Sequence, residues 1–238
     1  MQVVASADRQ AIILGGASFI VAALAFVLVF GYLAANFNYP DILDGSAAEV
    51  LPRLRGGGST MRGVWALYAF LPLLLVPGAV GAWSACPSSR ARMTLALVAA
   101  SLGALAMCLG LMRWPTLHWA LADAYSSATV ETKGGLDAVF TGMNLYLGNY
   151  IGEFLGETLL ATFFLLSGLS LLEEQRWPKW IGWSGIGFSL LFLVGAFRNI
   201  TPTVQVVADV NNALLPLWLI VLGAALIWRA GRVKEPVA

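Results

Sequence analysis

Six long apolar runs, separated by polar stretches, constrain the fold of this chain more than any other feature. They cover residues 12–35, 63–85, 93–112, 150–172, 180–197 and 213–228. A helix needs about 20 apolar residues to cross the hydrocarbon of a bilayer. The chain is 59% hydrophobic and 11% charged, whereas a soluble domain carries about 25% charged residues. The sequence therefore predicts an all-α integral membrane bundle of six transmembrane helices, forming one membrane-embedded domain over 1–238.

The connections between the runs differ in length on the two sides of the membrane. Those at 36–62, 113–149 and 198–212 are long, and those at 86–92 and 173–179 are short. Lysine and arginine are denser in the short connections and at the termini, and these residues favour the cytoplasmic side. We therefore expect both termini to be cytoplasmic and the long loops to lie outside.

Short interfacial helices are expected within the long outer loops. Ser46 and Glu49 have the spacing of a capping box, which opens a helix, and the glycines at 56–58 would end that helix. Leu117 and Leu121 belong to a pattern at helical spacing that is typical of an amphipathic helix lying on the membrane surface. A further helix over residues 134–147 is expected to lead directly into the fourth span.

Two glutamates in the fourth apolar run are the strongest indication of a functional site. Asn149, Glu153 and Glu157 recur every four residues, so they share one face of a helix. An ionisable side chain at membrane depth costs roughly 2.5–3.5 kcal/mol, so it normally faces the protein interior and has a function. The sequence therefore predicts an interior polar site on this helix.

A stripe of glycines lies beside the polar face of the same run. Gly148, Gly152 and Gly156 recur every four residues, and small residues at this spacing let a neighbouring helix approach closely. Because the two stripes are adjacent, we expect the carboxylates to point into the bundle and away from lipid.

The carboxylate pair has two interpretations. It could accept protons, bind a cation or act as acid and base, or each glutamate could pair with an arginine and hold helices together. Arg62, Arg113 and Arg198 each lie at the outer end of a different span, and a guanidinium group binds carboxylate or phosphate with two hydrogen bonds. We expect at least one of the three to pair with Glu153 or Glu157.

Other polar residues are candidates for the same site. Asn211 and Asn212 open the last span, where amides could bond across helices or line a cavity. His118 is the single histidine, and it could shuttle protons or simply lie at the interface beside tryptophans. Two spans contain prolines, which could widen the bundle around a cavity or only adjust its packing; they are Pro72, Pro77 and Pro216.

Several chemistries are not indicated. Two cysteines and one histidine cannot form the common Cys/His zinc sites. The sequence contains no Walker loop, no Gly-x-Ser-x-Gly and no His-Glu-x-x-His. A net charge of +1 provides no basic field for nucleic acid. We therefore expect no metal, no cofactor and no nucleic-acid partner.

Short segments of the chain resemble a known family. They are 38–43 (NYPDIL), 61–65 (MRGVW), 113–115 (RWP), 121–125 (LADAY), 152–157 (GEFLGE) and 176–182 (RWPKWIG). Together they resemble the bacterial multi-pass membrane proteins of the domain of unknown function 4386 family, from the first span to the fifth. The resemblance implies six spans in a bacterial inner membrane, and it implies no activity.

Three functions are compatible with these features. The first, which we favour, is a non-enzymatic protein with an outward-opening polar pocket that binds a lipid, an amphiphile or a small cation for sensing, accessory or transport purposes. The second is an intramembrane enzyme in which Glu153 and Glu157 are acid and base, assisted by His118 or Asp123. The third is a subunit of a membrane complex or homo-oligomer that packs through the glycine stripe. The candidate ligand-binding residues are Glu153, Glu157, Asn149, Arg113, Arg198, Arg62, Asn212 and His118.

Overall fold

Six apolar helices organise the structure, a computed structural model that describes residues 6–232. Each is long and apolar enough to cross a membrane, and we number them span 1 to span 6 in chain order. They are Asp8–Phe37, Gly58–Ala85, Pro87–Ser127, Val130–Glu173, Lys179–Asn199 and Pro202–Gly231. No strand occurs in the described part of the chain. The predicted all-α fold with six spans is confirmed.

The described part of the chain contains ten α-helices, and 3-10 or π-helical segments lie between several of them. The α-helices are α1 (Ser6–Phe37), α2 (Ala47–Gly56), α3 (Gly58–Phe70), α4 (Leu75–Ala85), α5 (Arg90–Met112), α6 (Trp119–Ser127), α7 (Val130–Met143), α8 (Gly156–Glu173), α9 (Lys179–Ala196) and α10 (Gln205–Gly231). Short 3-10 turns lie at Asp41–Asp44, Leu71–Leu74, Pro87–Ser89, Phe197–Asn199 and Pro202–Val204. Two segments are π-helical, Trp114–His118 in span 3 and Asn144–Leu155 in span 4.

Proline lies in four of these irregular segments, and Pro72 and Pro115 show how the bundle accommodates it. Pro72 is in the 3-10 turn of span 2, where the Ser18 hydroxyl of span 1 donates to the Leu74 carbonyl at 2.7 Å. Pro115 has no amide hydrogen, and the His118 amide bonds to the Arg113 carbonyl five residues back, at 2.7 Å, which is the π-helical pattern. Hydroxyl groups and adjusted turns satisfy backbone groups that proline leaves unpaired in lipid.

The six spans form a closed bundle. Each span packs against the next in sequence, and span 6 packs against span 1. Arg9 Nε donates to the Ala230 carbonyl at 3.3 Å, so the first and last helices meet at one end, which we call the proximal end. The opposite end is the distal end. Large apolar side chains such as Leu28, which is 74% exposed, cover the outside of the bundle, as lipid contact requires.

The distal end is more helical than the sequence predicted. Span 3 continues to Ser127 and span 4 begins at Val130, so the expected loop at 113–149 is mostly an extension of two spans. The surface helix expected around Leu121 is part of this extension, and Leu121 is buried. The extension is held in the bundle because Trp114, Trp119 and Tyr125 pack with residues of α2 in a hydrophobic cluster that we call the distal core. Trp65 and Trp114 are stacked there, with their ring centroids 4.6 Å apart.

The helix expected in the first long loop is present as α2. Ser46 stands at its N-cap, but the Ser46 side chain makes no capping hydrogen bond, so the predicted capping box is wrong. The helix is held instead by its apolar side, since Val50, Leu51 and Leu54 are fully buried in the distal core. Gly58 follows with a φ of 62°, which glycine adopts at little cost.

The glycine stripe of span 4 packs against span 3 of the same chain. A Cβ atom on Gly110 would lie 2.6 Å from the Gly152 Cα, and one on Gly156 would lie 2.9 Å from the Met107 Cγ. The Gly110 and Gly152 backbones approach this closely because neither residue carries a side chain. The glycine stripe is therefore buried within this chain and is not a free surface for another subunit, as the assembly hypothesis required.

Replacing Gly110 by alanine tests this close contact. Because the added methyl group meets the Gly152 backbone, Gly110→Ala should lower the free energy of unfolding by about 1–3 kcal/mol. The control is Gly187→Ala, since a Cβ on Gly187 meets nothing within 4 Å and alanine favours helices by up to about 1 kcal/mol. Thermal unfolding in detergent measures both, and equal midpoints would contradict the packing.

Candidate functional site

A cavity of about 480 Å³ lies inside the closed bundle towards its distal end. All six spans contribute to its wall, through residues such as Ala22, Tyr68, Met107, Glu153, Arg198 and Leu215. The connection between α1 and α2 adds Tyr39, Pro40, Asp41 and Leu43. Ligand sites in proteins commonly have volumes of about 300–1,000 Å³, so the cavity is large enough for a small ligand.

The lining of this cavity is amphiphilic. One group of lining residues is apolar and includes Phe26, Leu75, Phe192 and Leu219. The other is polar and charged; it comprises Tyr39, Asp41, Tyr68, Arg113, Asn149, Glu153, Glu157, Arg198, Asn199, Gln205, Asp209 and Asn212. Pro72 and Pro216 also line the cavity, which favours the interpretation that these prolines widen the bundle.

Arg198 holds both glutamates of span 4 in one ion cluster. Its Nη1 and Nη2 donate to the Glu157 Oε2 and Oε1 at 2.7 and 2.8 Å, and Nη2 lies 3.1 Å from the Glu153 Oε2. The Asn199 amide donates to the Glu153 Oε2 and to the Asn149 carbonyl, both at 2.9 Å. The expected pairing of an arginine with these carboxylates is confirmed.

Local backbone structure positions this cluster. Glu153 lies in the π-helical segment Asn144–Leu155, and Glu157 lies in the first turn of α8. Arg198 lies in the 3-10 turn that follows α9, and its Nη1 also donates to the Gly195 carbonyl at 3.3 Å. A cation is favoured at a helix C-terminus, where carbonyl groups are free. The π-helix is a rare form that often marks functional sites.

Arg113 is the second arginine in the cavity wall. It is 5% exposed, its Nε donates to the Asn144 Oδ1 at 3.1 Å, and its Nη1 donates to the Gly110 carbonyl. The Asn144 amide in turn donates to the Leu43 carbonyl at 3.2 Å. Arg113 thus links span 3 to span 4 and to the connection after α1. It forms no ion pair with any residue in 6–232.

Two of the predicted site residues lie outside the cavity wall. Arg62 donates to the Pro115 carbonyl at 2.9 Å, and its guanidinium stacks over Trp119 at 5.2 Å. His118 is fully buried between the rings of Trp114 and Phe140, each 4.7 Å away. The sequence placed both near the site because they flank the distal ends of spans, but their side chains belong to the distal core.

The remaining predicted ligand-binding residues line the cavity. Asp123 and His118, which were expected to assist an acid and base in an enzyme, do not. Asn149 and Asn212 are part of the wall, whereas Asn211 is buried and donates to the Leu191 carbonyl at 2.9 Å. Asp123 forms an ion pair with Arg55 at 2.7 Å, and both side chains are about half exposed. The structure therefore brings neither Asp123 nor His118 to the two glutamates.

A comparison with family models identifies the chain. The model of the domain of unknown function DUF4386 matches residues 14–223. The chain belongs to the DUF4386 family. It is a multi-pass membrane protein, in agreement with its six spans. Comparisons with curated proteins and with solved structures each gave no match, so the function of this DUF4386 protein has to be argued from its own residues.

Sequence reasoning missed several polar residues of the site. Asn199 and Asn144 make the amide contacts that position Glu153 and Arg113. The hydroxyl oxygens of Tyr39 and Tyr68 lie 3.3 Å apart in the wall. Burial raises the pKa of the Tyr39 hydroxyl, so it remains protonated and can donate. The adjacency of Asn199 to Arg198 was the one available indication.

The two carboxylates of the cavity are paired with an arginine. Among residues 6–232, no three His, Cys, Asp or Glu side chains converge as potential ligands of one metal ion. Glu153 and Glu157, the two carboxylates that do converge, are both in contact with Arg198.

Removing Arg198 should destabilise this DUF4386 protein strongly. Arg198→Ala leaves two carboxylates, 13% and 27% exposed, without their cation, and breaking a buried pair costs about 3–5 kcal/mol. The control is Arg92→Ala, because Arg92 and Glu173 also pair at 2.7 Å but are 33% and 51% exposed; exposed pairs contribute about 0–1 kcal/mol. Unfolding in detergent distinguishes the two, and similar losses would show that the cluster is not structural.

Proposed function

We propose that this chain is a non-enzymatic membrane protein that binds an amphiphile in the distal cavity, with a cationic group of the ligand at Glu153. The observation that carries the proposal is a cavity of about 480 Å³ with an apolar wall and a carboxylate that is not saturated. A lipid or a lipid-like small molecule has this combination of apolar and charged parts. Binding of this kind would serve a sensing, accessory or transport role.

Glu153 is the carboxylate that is available to a ligand. Both oxygens of Glu157 accept from Arg198, so the charge of Glu157 is paired with that of Arg198 on both oxygens. Arg198 and Asn199 both contact the Oε2 atom of Glu153, and the Oε1 atom has no partner among residues 6–232. The Glu153 side chain is also twice as exposed as that of Glu157, at 27% against 13%. It can therefore accept a hydrogen bond from a bound ammonium or hydroxyl group.

The charges of the wall favour a cation near its polar part. The lining contains four acidic side chains, Asp41, Glu153, Glu157 and Asp209, against the two arginines 113 and 198. Asp41 and Asp209 are exposed, so water screens their effect. Glu153 and Glu157 are less exposed, and Arg198 is the one cation among residues 6–232 that pairs directly with them, so two carboxylates share one guanidinium group.

We also propose that the distal end faces outwards and that both ends of the chain lie in the cytoplasm of a bacterial cell with this protein in its inner membrane. The support is the density of lysine and arginine in the short proximal connections, which favours the cytoplasmic side. The cavity would then receive its ligand from the outer leaflet or from outside the cell.

Neutralising Glu153 should abolish binding of a cationic amphiphile. Decylammonium should raise the thermal unfolding midpoint of the purified protein in maltoside detergent, and Glu153→Gln should remove that rise because the amide carries no negative charge. Glu131→Gln is the matched control, since Glu131 is an exposed residue in the first turn of α7. An unchanged rise in Glu153→Gln would refute the assignment of Glu153.

Cysteine labelling tests the proposed orientation. Gly56→Cys places a thiol at the exposed distal end of α2, and Ser88→Cys places one at the exposed proximal end. The native Cys86 and Cys108 are buried, so a membrane-impermeant maleimide should react mainly with the new thiols. Labelling of intact cells should modify the cysteine at position 56 and spare the one at position 88, and the reverse pattern would place the distal end in the cytoplasm.

A further inference from the structure

Arg113 provides a second charged contact in the cavity, and its pairing differs from that of Arg198. Arg198 has two carboxylate partners within 3.1 Å. Arg113 lines the same cavity and bonds to an amide oxygen and a backbone carbonyl, both neutral. No carboxylate in the described part of the chain forms an ion pair with it. A buried cation without a counter-ion is costly, so Arg113 is a natural site for an anionic group.

The geometry around Arg113 leaves part of its guanidinium group available. Its Nε and Nη1 are engaged by Asn144 and Gly110, whereas Nη2 has no hydrogen bond to residues 6–232. Nη2 lies over Gly148, where a Cβ atom would be 2.5 Å away, so the missing side chain at 148 makes room for the guanidinium at the cavity wall. One nitrogen of Arg113 can therefore donate to a ligand, as guanidinium groups do to phosphate or carboxylate.

The cavity wall thus contains two groups of opposite charge, each with one atom that has no hydrogen-bond partner among residues 6–232. Nη2 of Arg113 is a free donor, and Oε1 of Glu153 is a free acceptor. With Arg198 and Glu157 included, the formal charges of these four side chains sum to zero. A ligand that is neutral overall but carries both charges would satisfy each free atom without leaving an excess charge in the bundle.

We propose that the ligand is a zwitterionic amphiphile whose phosphate or carboxylate binds Arg113 and whose ammonium group binds Glu153. The inference rests on the proposed function and specifies its ligand class. A purely cationic amphiphile would leave Arg113 without an anion. A purely anionic one would meet Glu153, Glu157, Asp41 and Asp209 in the same wall. The head group that fits both contacts is of the phosphoethanolamine kind, carried by a membrane lipid or by a free amphiphile.

Three amphiphiles with the same decyl chain test the proposal on the unmodified protein. They are decylammonium, decyl phosphate and decyl phosphoethanolamine, each added below its micelle concentration to the full chain in maltoside detergent. Isothermal titration calorimetry should show that the zwitterion binds at least tenfold more tightly than either singly charged compound. Equal binding of decylammonium and the zwitterion overturns the zwitterion proposal and leaves the proposed function intact. Tightest binding of decyl phosphate overturns both, and no binding by any of them overturns the proposed function.

Substitutions then test which residue binds the anionic group of the ligand and which binds its ammonium group. Arg113→Gln should remove the advantage of the zwitterion over decylammonium, and Glu153→Gln should remove its advantage over decyl phosphate. Arg62→Gln is the matched control because Arg62 lies outside the cavity wall, and it should preserve the ranking. An unchanged ranking in Arg113→Gln would overturn the role of Arg113. If Arg113→Gln fails to fold, Arg113→Lys keeps the positive charge and should retain a reduced advantage for the zwitterion.

A competition experiment distinguishes the two sources of the head group. The protein is placed in nanodiscs of phosphatidylglycerol, with or without phosphatidylethanolamine, and titrated with decyl phosphoethanolamine. A loss of apparent affinity when phosphatidylethanolamine is present assigns the site to the membrane lipid. Equal affinity in the two nanodiscs assigns it to a free zwitterionic amphiphile. Absence of binding in both nanodiscs, after binding in detergent, would overturn the zwitterion proposal for the protein in a membrane.

Discussion

The distal half of this structure depends on the cost of placing charge inside an apolar bundle. Glu153 and Glu157 lie where lipid or protein replaces water, and such groups need partners. Arg198 meets this need with two hydrogen bonds to Glu157 and a 3.1 Å contact with Glu153. Because Arg198 belongs to span 5 and the glutamates to span 4, the same contacts fix how these spans lie together and form one wall of the cavity.

Backbone packing provides the space that the charged cluster borders. Span 3 approaches span 4 at Gly110 and Gly152, and the Arg113 side chain occupies the room beside Gly148. Pro72 and Pro216 line the cavity on other spans; Pro72 lies in a 3-10 turn and Pro216 lies within α10. Close contact on one side and separation on the other produce a cavity with apolar and polar walls. This combination supports the proposed binding of an amphiphile, and the charges of the lining support the proposed zwitterionic head group.

Much of this arrangement could be predicted because lipid imposes simple rules. The six spans follow from apolar length, and the inward direction of Glu153 and Glu157 follows from the cost of charge. The sequence did not indicate which arginine pairs with them, since Arg62, Arg113 and Arg198 occupy equivalent positions at span ends. Nor did it show that the helix after Pro115 continues span 3, where a helix on the membrane surface was expected, because the packing of Trp114 and Trp119 in the distal core is a tertiary contact. The contacts of Asn144 and Asn199 join residues distant in sequence, which spacing cannot predict.

A double-mutant cycle on Arg198 and Glu157 tests the central claim most directly. The free energy of unfolding is measured in detergent for the unmodified chain, Arg198→Gln, Glu157→Gln and the double variant. If the two side chains pair within the bundle, each single change leaves the other charge unpaired, and the losses should couple by about 1–3 kcal/mol. Strictly additive losses would show that the two residues act independently, and would contradict an ion cluster as the framework of the cavity.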